Sequence, residues 1–212
     1  MKKGENKELE RRAYSFEVRA ENGENGAVLT GRPIVYNSTT DLGWFDEVIE
    51  QGALNDTDLR DVRFLVNHDT SRIPLARSRR NNGNSTMQLM PNEFGMDIKV
   101  NLDVENNSEA RALYSAVERG DISGMSFMFG VEDEEWENLT SDHPTRRIKA
   151  ISRVLEVSAC SFPAYEATQI NARSREALDN ARAALESARA ETAVDTADIE
   201  LAKAKFIFKS KM

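Results

Sequence analysis

The chain has 212 residues, of which 40% are hydrophobic and 30% are charged, and its formal net charge is −8. This length fits one ordinary domain plus an extension, and the hydrophobic content is too high for a wholly disordered chain. An acidic chain is a poor candidate for sequence-independent nucleic-acid binding, because that binding needs cations that neutralise phosphates.

The single Cys160 excludes an intramolecular disulfide and a thiolate metal cluster, which favours a reducing compartment. No apolar run approaches the roughly 20 residues that a bilayer-spanning helix needs. The polar N-terminus has no apolar segment of a secretory signal behind it. We therefore expect an intracellular protein that binds neither membrane nor nucleic acid.

Residues 1–12 are almost all charged or polar, and they predict a disordered tail. From residue 13 to residue 172, short alternating apolar runs between Gly, Asn, Asp and Pro predict a mainly β domain. Its strands are predicted at Tyr14–Val18, Val28–Tyr36, Arg63–Val66, Met87–Met90, Phe94–Val100, Met125–Glu137 and Arg147–Ser161.

Two helical segments flank these strands, which makes the fold class α+β. The first has Ser108 as its predicted N-cap, Arg119 in its last turn and Gly120 as its stop. After residue 172 the composition changes to Ala, Arg and Glu with oppositely charged pairs at helical spacing. Residues 173–212 therefore predict a helical C-terminal extension.

Only two histidines are available as a general base. His68 follows an apolar strand, whereas His143 precedes Pro144 in a polar stretch that indicates a loop. A single histidine is more often a structural residue than a base. Of the two, His68 is the better candidate because it lies at the end of a strand and not in a loop.

Ser126 is the strongest nucleophile candidate. Strand alternation puts its side chain on the face opposite Met125, Phe127 and Phe129, where a base from a neighbouring strand can meet it. The structural alternative is a half-buried serine bonded to backbone. Cys160 is a weaker candidate, because a lone cysteine in an apolar strand is usually just buried.

Glu156 interrupts an otherwise apolar strand, and a buried carboxylate needs a partner. That partner is either an imidazole, which the carboxylate orients, or an arginine such as Arg147 or Arg153. Asp69 adjoins His68, but consecutive strand side chains point to opposite faces, so Asp69 is a poor orienter. With two histidines, one cysteine and no phosphate-binding glycine loop, we expect no metal and no cofactor.

The order of these motifs resembles the prohead maturation proteases of tailed bacteriophages, which are distantly similar to the herpesvirus capsid-maturation protease assemblin. The matching residues are Glu47-Val48-Ile49, Gly52-Ala53-Leu54, Asn67-His68-Asp69, Leu75-Ala76-Arg77, Gly124-Met125-Ser126-Phe127, Trp136, Leu155-Glu156-Val157-Ser158 and Pro163-Ala164-Tyr165. The resemblance covers about residues 14 to 170 and implies a closed β-barrel over residues 13–172.

The resemblance also implies site residues. Ser126 matches the nucleophile, His68 the base and Glu156 the third member, with His143 as the alternative third member. The turn after Pro163 suggests Ala164 or Tyr165 as the oxyanion-hole donor.

The implied role is a serine endopeptidase inside the assembling prohead, in the host cytoplasm. Its expected substrates are the scaffold segment of the major capsid protein, other internal prohead proteins and the protease itself. We expect an active homodimer, and an extension 173–212 that docks on scaffold or is removed by self-cleavage. The rival hypothesis is a non-catalytic, scaffold-binding component of the prohead, and a small-ester hydrolase is a third alternative.

Overall fold

The computed structural model describes residues 9–14, 18–23, 26–80, 83–161 and 175–190. Within these residues the fold is mainly β with two helices. The strands are β1 Leu9–Tyr14, β2 Val18–Gly23, β3 Gly26–Val35, β4 Thr39–Asp41, β5 Asp46–Ile49, β6 Asp61–Val66, β7 Ala76–Arg79, β8 Met87–Asn92, β9 Gly95–Leu102, β10 Gly124–Glu137 and β11 Thr145–Cys160. The helices are α1, Ser108–Glu118, and α2, residues 175–190.

The larger sheet is built around the long antiparallel pair of β10 and β11. Strand β1 pairs antiparallel with the free side of β10. On the free side of β11, β5 pairs in parallel with the beginning of β11 and β6 with its end. β4 and β7 complete the sheet beside β5 and β6. This arrangement brings the ends of β6 and β11 together beside β10.

The smaller sheet has the order β2-β3-β9-β8, all antiparallel. Its predicted hairpin, β8 with β9, is confirmed. Gly95, the first residue of β9, has φ +144°, and a Cβ there would overlap the carbonyl of Ile34, so only glycine fits. One hydrophobic cluster joins residues of both sheets and of α1, for example Phe127, Ile98 and Leu113. The two sheets therefore share a core.

Three expectations are corrected by the structure. The strands that are described form two sheets, and no closed barrel is found among them. Residues 9–12 belong to a strand rather than to a disordered tail, because β10 offers them an edge to pair with. The N-cap of α1 is Asn107 instead of Ser108, since the Asn107 side chain accepts from the backbone N–H groups of Glu109 and Ala110.

Helix α2 packs onto the β domain, and Leu178 is its buried apolar side chain among the described residues. Leu178 is buried against Leu42 and Phe45. Two arginines add polar contacts: Arg182 donates to the Ser141 carbonyl at 2.7 Å, and the Arg175 guanidinium lies 4.8 Å from the Trp44 ring centroid. The beginning of the predicted extension is thus helical and docked. Neither helix within the described residues has the length and apolar character that crossing a bilayer requires.

Candidate active site

Three neighbouring strands bring the predicted site residues together. Ser126 lies on β10 opposite Ser158 of β11, and Glu156 precedes Ser158 by two residues, so both β11 side chains share one face. Strand β6 pairs with β11 from Arg63 opposite Glu156 to Val66 opposite Ala159. His68 is the second residue after the end of β6, and its imidazole contacts both Glu156 and Ser126.

The three side chains form one continuous hydrogen-bonded chain. His68 Nε2 lies 2.6 Å from Ser126 Oγ, and His68 Nδ1 is bonded to Glu156 Oε1. The exposed fractions are 5% for His68, 0% for Ser126 and 2% for Glu156. Burial strengthens these hydrogen bonds, because the local dielectric is low and water does not compete for the carboxylate. The partner of Glu156 is therefore the imidazole, and not Arg147 or Arg153.

The turn that delivers His68 has an uncommon backbone conformation. Asn67 and His68 have φ values of +50° and +57°, in the left-handed region that few non-glycine residues adopt. The Asn67 side chain fixes this turn to the end of β11: its Oδ1 accepts from the Ser161 N–H at 3.0 Å. Backbone strain of this kind is typical of functional sites, where surrounding contacts hold it in place.

Ser158 is a site residue that the motif analysis did not assign a role. Its hydroxyl donates to Glu156 Oε2 at 2.6 Å, and its Oγ accepts from the backbone N–H of His68 at 3.1 Å. Ser158 thus holds both the carboxylate and the turn that carries the imidazole. The sequence does contain a signal for this residue, since a serine two positions after a strand glutamate shares its face.

Strand β1 covers the other side of the nucleophile. Ala13 of β1 is the register partner of Ser126, and the Ser126 hydroxyl donates to the carbonyl oxygen of the preceding Arg12 at 2.6 Å. Sequence reasoning missed this contact, because residues 9–12 show no strand pattern strong enough to outweigh their charges.

The Arg12 side chain enters a buried ion network. Its guanidinium donates to both carboxylate oxygens of Glu47, and also to Glu10. Arg146 bonds Glu10 at 2.7 Å, Glu47 at 3.1 Å and Glu134 at 2.8 Å. The network therefore connects β1 with β5, β10 and β11.

These contacts shift the pKa values of Glu10, Arg12 and Arg146 in the direction that keeps these three groups charged. Burial acts to raise the pKa of Glu10, but the guanidinium groups of Arg12 and Arg146 outweigh it and lower that pKa to about 2. Burial likewise opposes the charge of Arg12, yet the carboxylates of Glu47 and Glu10 raise its pKa above the ordinary value. The charge-bearing forms are thus stabilised in the folded state.

Four candidates remain: His143, Cys160, Ala164 and Tyr165. His143 is on the surface, with its Nε2 3.2 Å from Asp46 Oδ1 and 3.7 Å from Asp41 Oδ1, so the structure does not bring it to Ser126. These three side chains offer donor atoms within 4.8 Å of one another, as exposed acidic groups often do without an ion. Cys160 is buried, and its Sγ faces the Ser158 carbonyl at 3.9 Å. Ala164 and Tyr165 lie outside the described residues.

The hydrogen-bonded chain has the chemistry of a nucleophile, a base and an orienting carboxylate. With Nδ1–H donated to Glu156, Nε2 of a neutral His68 is an acceptor that faces the Ser126 hydroxyl. The carboxylate also stabilises the imidazolium that forms when His68 takes a proton. The arrangement can therefore activate a serine for attack on an acyl group.

Comparisons with known proteins agree with the earlier resemblance. The family described as Caudovirus prohead serine protease matches residues 14–182, which is more than half of the chain. The prohead protease of Enterobacteria phage HK97 is 29% identical over 154 residues, or 71% of this chain. The chain spans 61% of the length of that relative. No solved structure gives a significant match. The chain belongs to the Caudovirus prohead serine protease family.

Proposed function

We propose that this protein is a serine endopeptidase that uses Ser126 as nucleophile, His68 as general base and Glu156 as the group that orients the base. The observation that carries the proposal is the buried chain of bonds from Ser126 Oγ through both imidazole nitrogens to Glu156. Glutamate serves here as aspartate does in other triads, because either carboxylate can accept the Nδ1 proton.

The mechanism follows from these contacts. Ser126 Oγ attacks the scissile carbonyl carbon while His68 Nε2 takes the hydroxyl proton, and Glu156 stabilises the resulting imidazolium. His68 then gives its proton to the leaving amine, which leaves an acyl group on Ser126. A water molecule, activated by the same imidazole, hydrolyses the acyl-enzyme and restores Ser126. The oxyanion donor stays a prediction, with the N–H of Ala164 or Tyr165 as the candidates.

The family suggests the setting and the substrates. In this proposal the enzyme acts in the host cytoplasm, inside the assembling prohead. It cuts the scaffold segment of the major capsid protein, other internal prohead proteins and itself, and it works as a homodimer. The extension after residue 172 either docks on scaffold or is removed by self-cleavage. The proposed similarity to assemblin rests on the same pair of residue types, here Ser126 on β10 and His68 in the turn after β6.

One observation favours the rival function, a non-catalytic scaffold-binding component of the prohead. Ser126 is fully buried, and its hydroxyl is engaged by the Arg12 carbonyl. A serine bonded to backbone needs no catalytic role. Against this, a buried carboxylate aimed at a buried imidazole is costly for stability alone, and a merely structural site has no need of it.

The test is an intact-mass time course on wild-type protein, Ser126→Ala and Ser123→Ala, each with and without the capsid protein precursor. Ser123 is the matched control, because it is exposed and precedes Ser126 by three residues. We expect new cleavage products with wild type and Ser123→Ala, and none with Ser126→Ala.

The alternatives give different results. Equal cleavage by wild type and Ser126→Ala would show that another residue is the nucleophile. If no variant cuts the precursor while all of them bind it, the scaffold-binding function replaces the protease.

A further inference from the structure

Strand β1 lies where a peptide would have to lie to reach the nucleophile along β10. It pairs antiparallel with β10 from Leu9 opposite Gly130 to Tyr14 opposite Met125, and Ser126 falls inside this paired stretch. With β1 in place, the exposed fraction of Ser126 is zero. An incoming peptide can therefore approach this edge of β10 only when β1 leaves it.

The contact between β1 and the nucleophile also opposes activation. A hydroxyl has one proton, and both the Arg12 carbonyl oxygen and His68 Nε2 lie 2.6 Å from Ser126 Oγ. When the proton goes to the carbonyl, the base cannot take it. The backbone of β1 is thus both a cover and a competitor for the proton that the mechanism needs.

The geometry points to a specific use of this edge, on the basis of the proposed function: we propose that the side of β10 next to Ser126 binds an extended substrate peptide, whose place β1 holds at rest. Extended peptides bind proteins by adding a strand to a sheet edge, with backbone bonds giving affinity and side-chain pockets giving specificity. Arg12 marks the substrate residue whose carbonyl meets Ser126, which is the residue before the cleaved bond.

The same geometry assigns the chemistry of that substrate residue. The Arg12 side chain reaches Glu47, whose exposed fraction is 1%. When β1 leaves, Glu10 and Arg12 leave with it. The network then keeps two carboxylates, Glu47 and Glu134, against one guanidinium, Arg146. Glu134 is partly exposed, but Glu47 is buried, and an excess of negative charge around a buried carboxylate favours a cation. The preferred substrate therefore carries Lys or Arg at this position.

A reversible crosslink tests whether β1 must move. Arg11 and Met128 are register partners, and Cα atoms of paired residues are about 4.5 to 5.5 Å apart, within the range a disulfide bridges. In the full chain with Arg11→Cys and Met128→Cys, we expect the oxidised form to react with a fluorophosphonate probe at least about tenfold more slowly than the reduced form. Wild type under the same oxidant and reductant is the control for Cys160.

Equal labelling of Ser126 in the oxidised and reduced forms would overturn the inference while leaving the proposed function intact. If the reduced double variant is inactive, Arg12→Ala decides the question. Loss of the Glu47 contacts should loosen β1 and speed labelling, and an unchanged rate would count against the cover. If the probe labels Ser126 in no form and no variant, the proposed function fails, and this inference fails with it.

A random decapeptide library, read by mass spectrometry, tests the substrate class. We expect cleavage mainly after Lys or Arg. In the Glu47→Gln variant, the preference for substrates with Lys or Arg over substrates with Gln at this position should fall by about tenfold, and the change should appear in KM rather than in kcat. Glu135→Gln is the control, because Glu135 is an exposed carboxylate that binds Lys149. Cleavage with no preference for a basic residue, or a preference that Glu47→Gln leaves intact, would refute this assignment.

Discussion

Ser158→Ala is the substitution that most directly tests how the site is held in place. It removes a hydroxyl that donates to Glu156 Oε2 at 2.6 Å and accepts from the His68 backbone N–H at 3.1 Å. The cross-strand neighbour Ser126 stays intact, as do the imidazole and the carboxylate. Any loss of reactivity then comes from positioning, because no group that touches the substrate has changed.

The magnitude follows from these two bonds. A hydrogen bond to a charged group contributes about 1.5 to 3 kcal/mol, and a buried N–H left without a partner costs about 1 to 3 kcal/mol. Since Ser158 is fully buried, we expect the free energy of unfolding to fall by about 2 to 4 kcal/mol. If the transition state loses the stabilisation that the Ser158 hydrogen bond gives to Glu156, the rate of reaction at Ser126 falls by about 10- to 150-fold.

The assay combines two measurements on the same protein. The rate of Ser126 labelling by a fluorophosphonate reports the activation of the nucleophile, and denaturant unfolding reports stability. Ser152→Ala is the matched control: it lies on the same strand and donates to the Gly130 carbonyl at 2.9 Å, away from the triad. It should lose some stability and keep its labelling rate.

Ser158→Thr separates positioning from packing, because it keeps a hydroxyl at the same place. We expect it to recover most of the labelling rate, even where the extra methyl group lowers stability. Ser158 has no positioning role if Ser158→Ala labels at the wild-type rate, or if Ser152→Ala slows labelling as much as Ser158→Ala does.

Further predictions concern the ion network and the helices. Because the folded-state pKa of Glu10 is about 2 against an ordinary 4.5, its carboxylate stabilises the fold at neutral pH. This contribution, at most about 3 kcal/mol, is lost as the pH falls from about 5 to 2, and Glu10→Gln should flatten the acid slope of unfolding free energy. Leu178→Ala should undock α2 and raise its amide hydrogen exchange, whereas the exposed control Asn180→Ala should not. Asn107→Ala should lower thermal stability by about 1 kcal/mol through loss of the α1 cap.

The sequence predicts β3, β6 and β8 to β11 because their hydrophobic periodicity is local. In the segments that form β6, β8, β9, β10 and β11, apolar residues are continuous or alternate with polar ones, and this local pattern already indicates a strand. Pairing is different, because nothing local says that β5 and β6 share one edge of β11. The expected closed barrel was inferred by analogy, and the described strands instead form two sheets.

The site shows the same division. Scarcity made His68 easy to find, and a lone glutamate in an apolar strand identified Glu156. Arg12 could not be found in this way, because its charge argued for a solvated tail. Its place in the fold depends on Glu47, which is 35 residues away in sequence. A charged side chain such as that of Arg12 is buried in a strand only when partners distant in the chain neutralise it.

Strand β1 therefore contacts both the nucleophile and the ion network. Its backbone carbonyl meets Ser126, while strand alternation sends the Arg12 side chain to the face of Phe127 and into the ion network. Backbone pairing with β10 and the ion pairs of Glu10 and Arg12 both hold β1 in this place. A peptide that displaces it must replace both the backbone pairing and the cation on Glu47. The cost of opening the site then becomes a source of selectivity, since only a substrate that restores both sets of contacts offsets it.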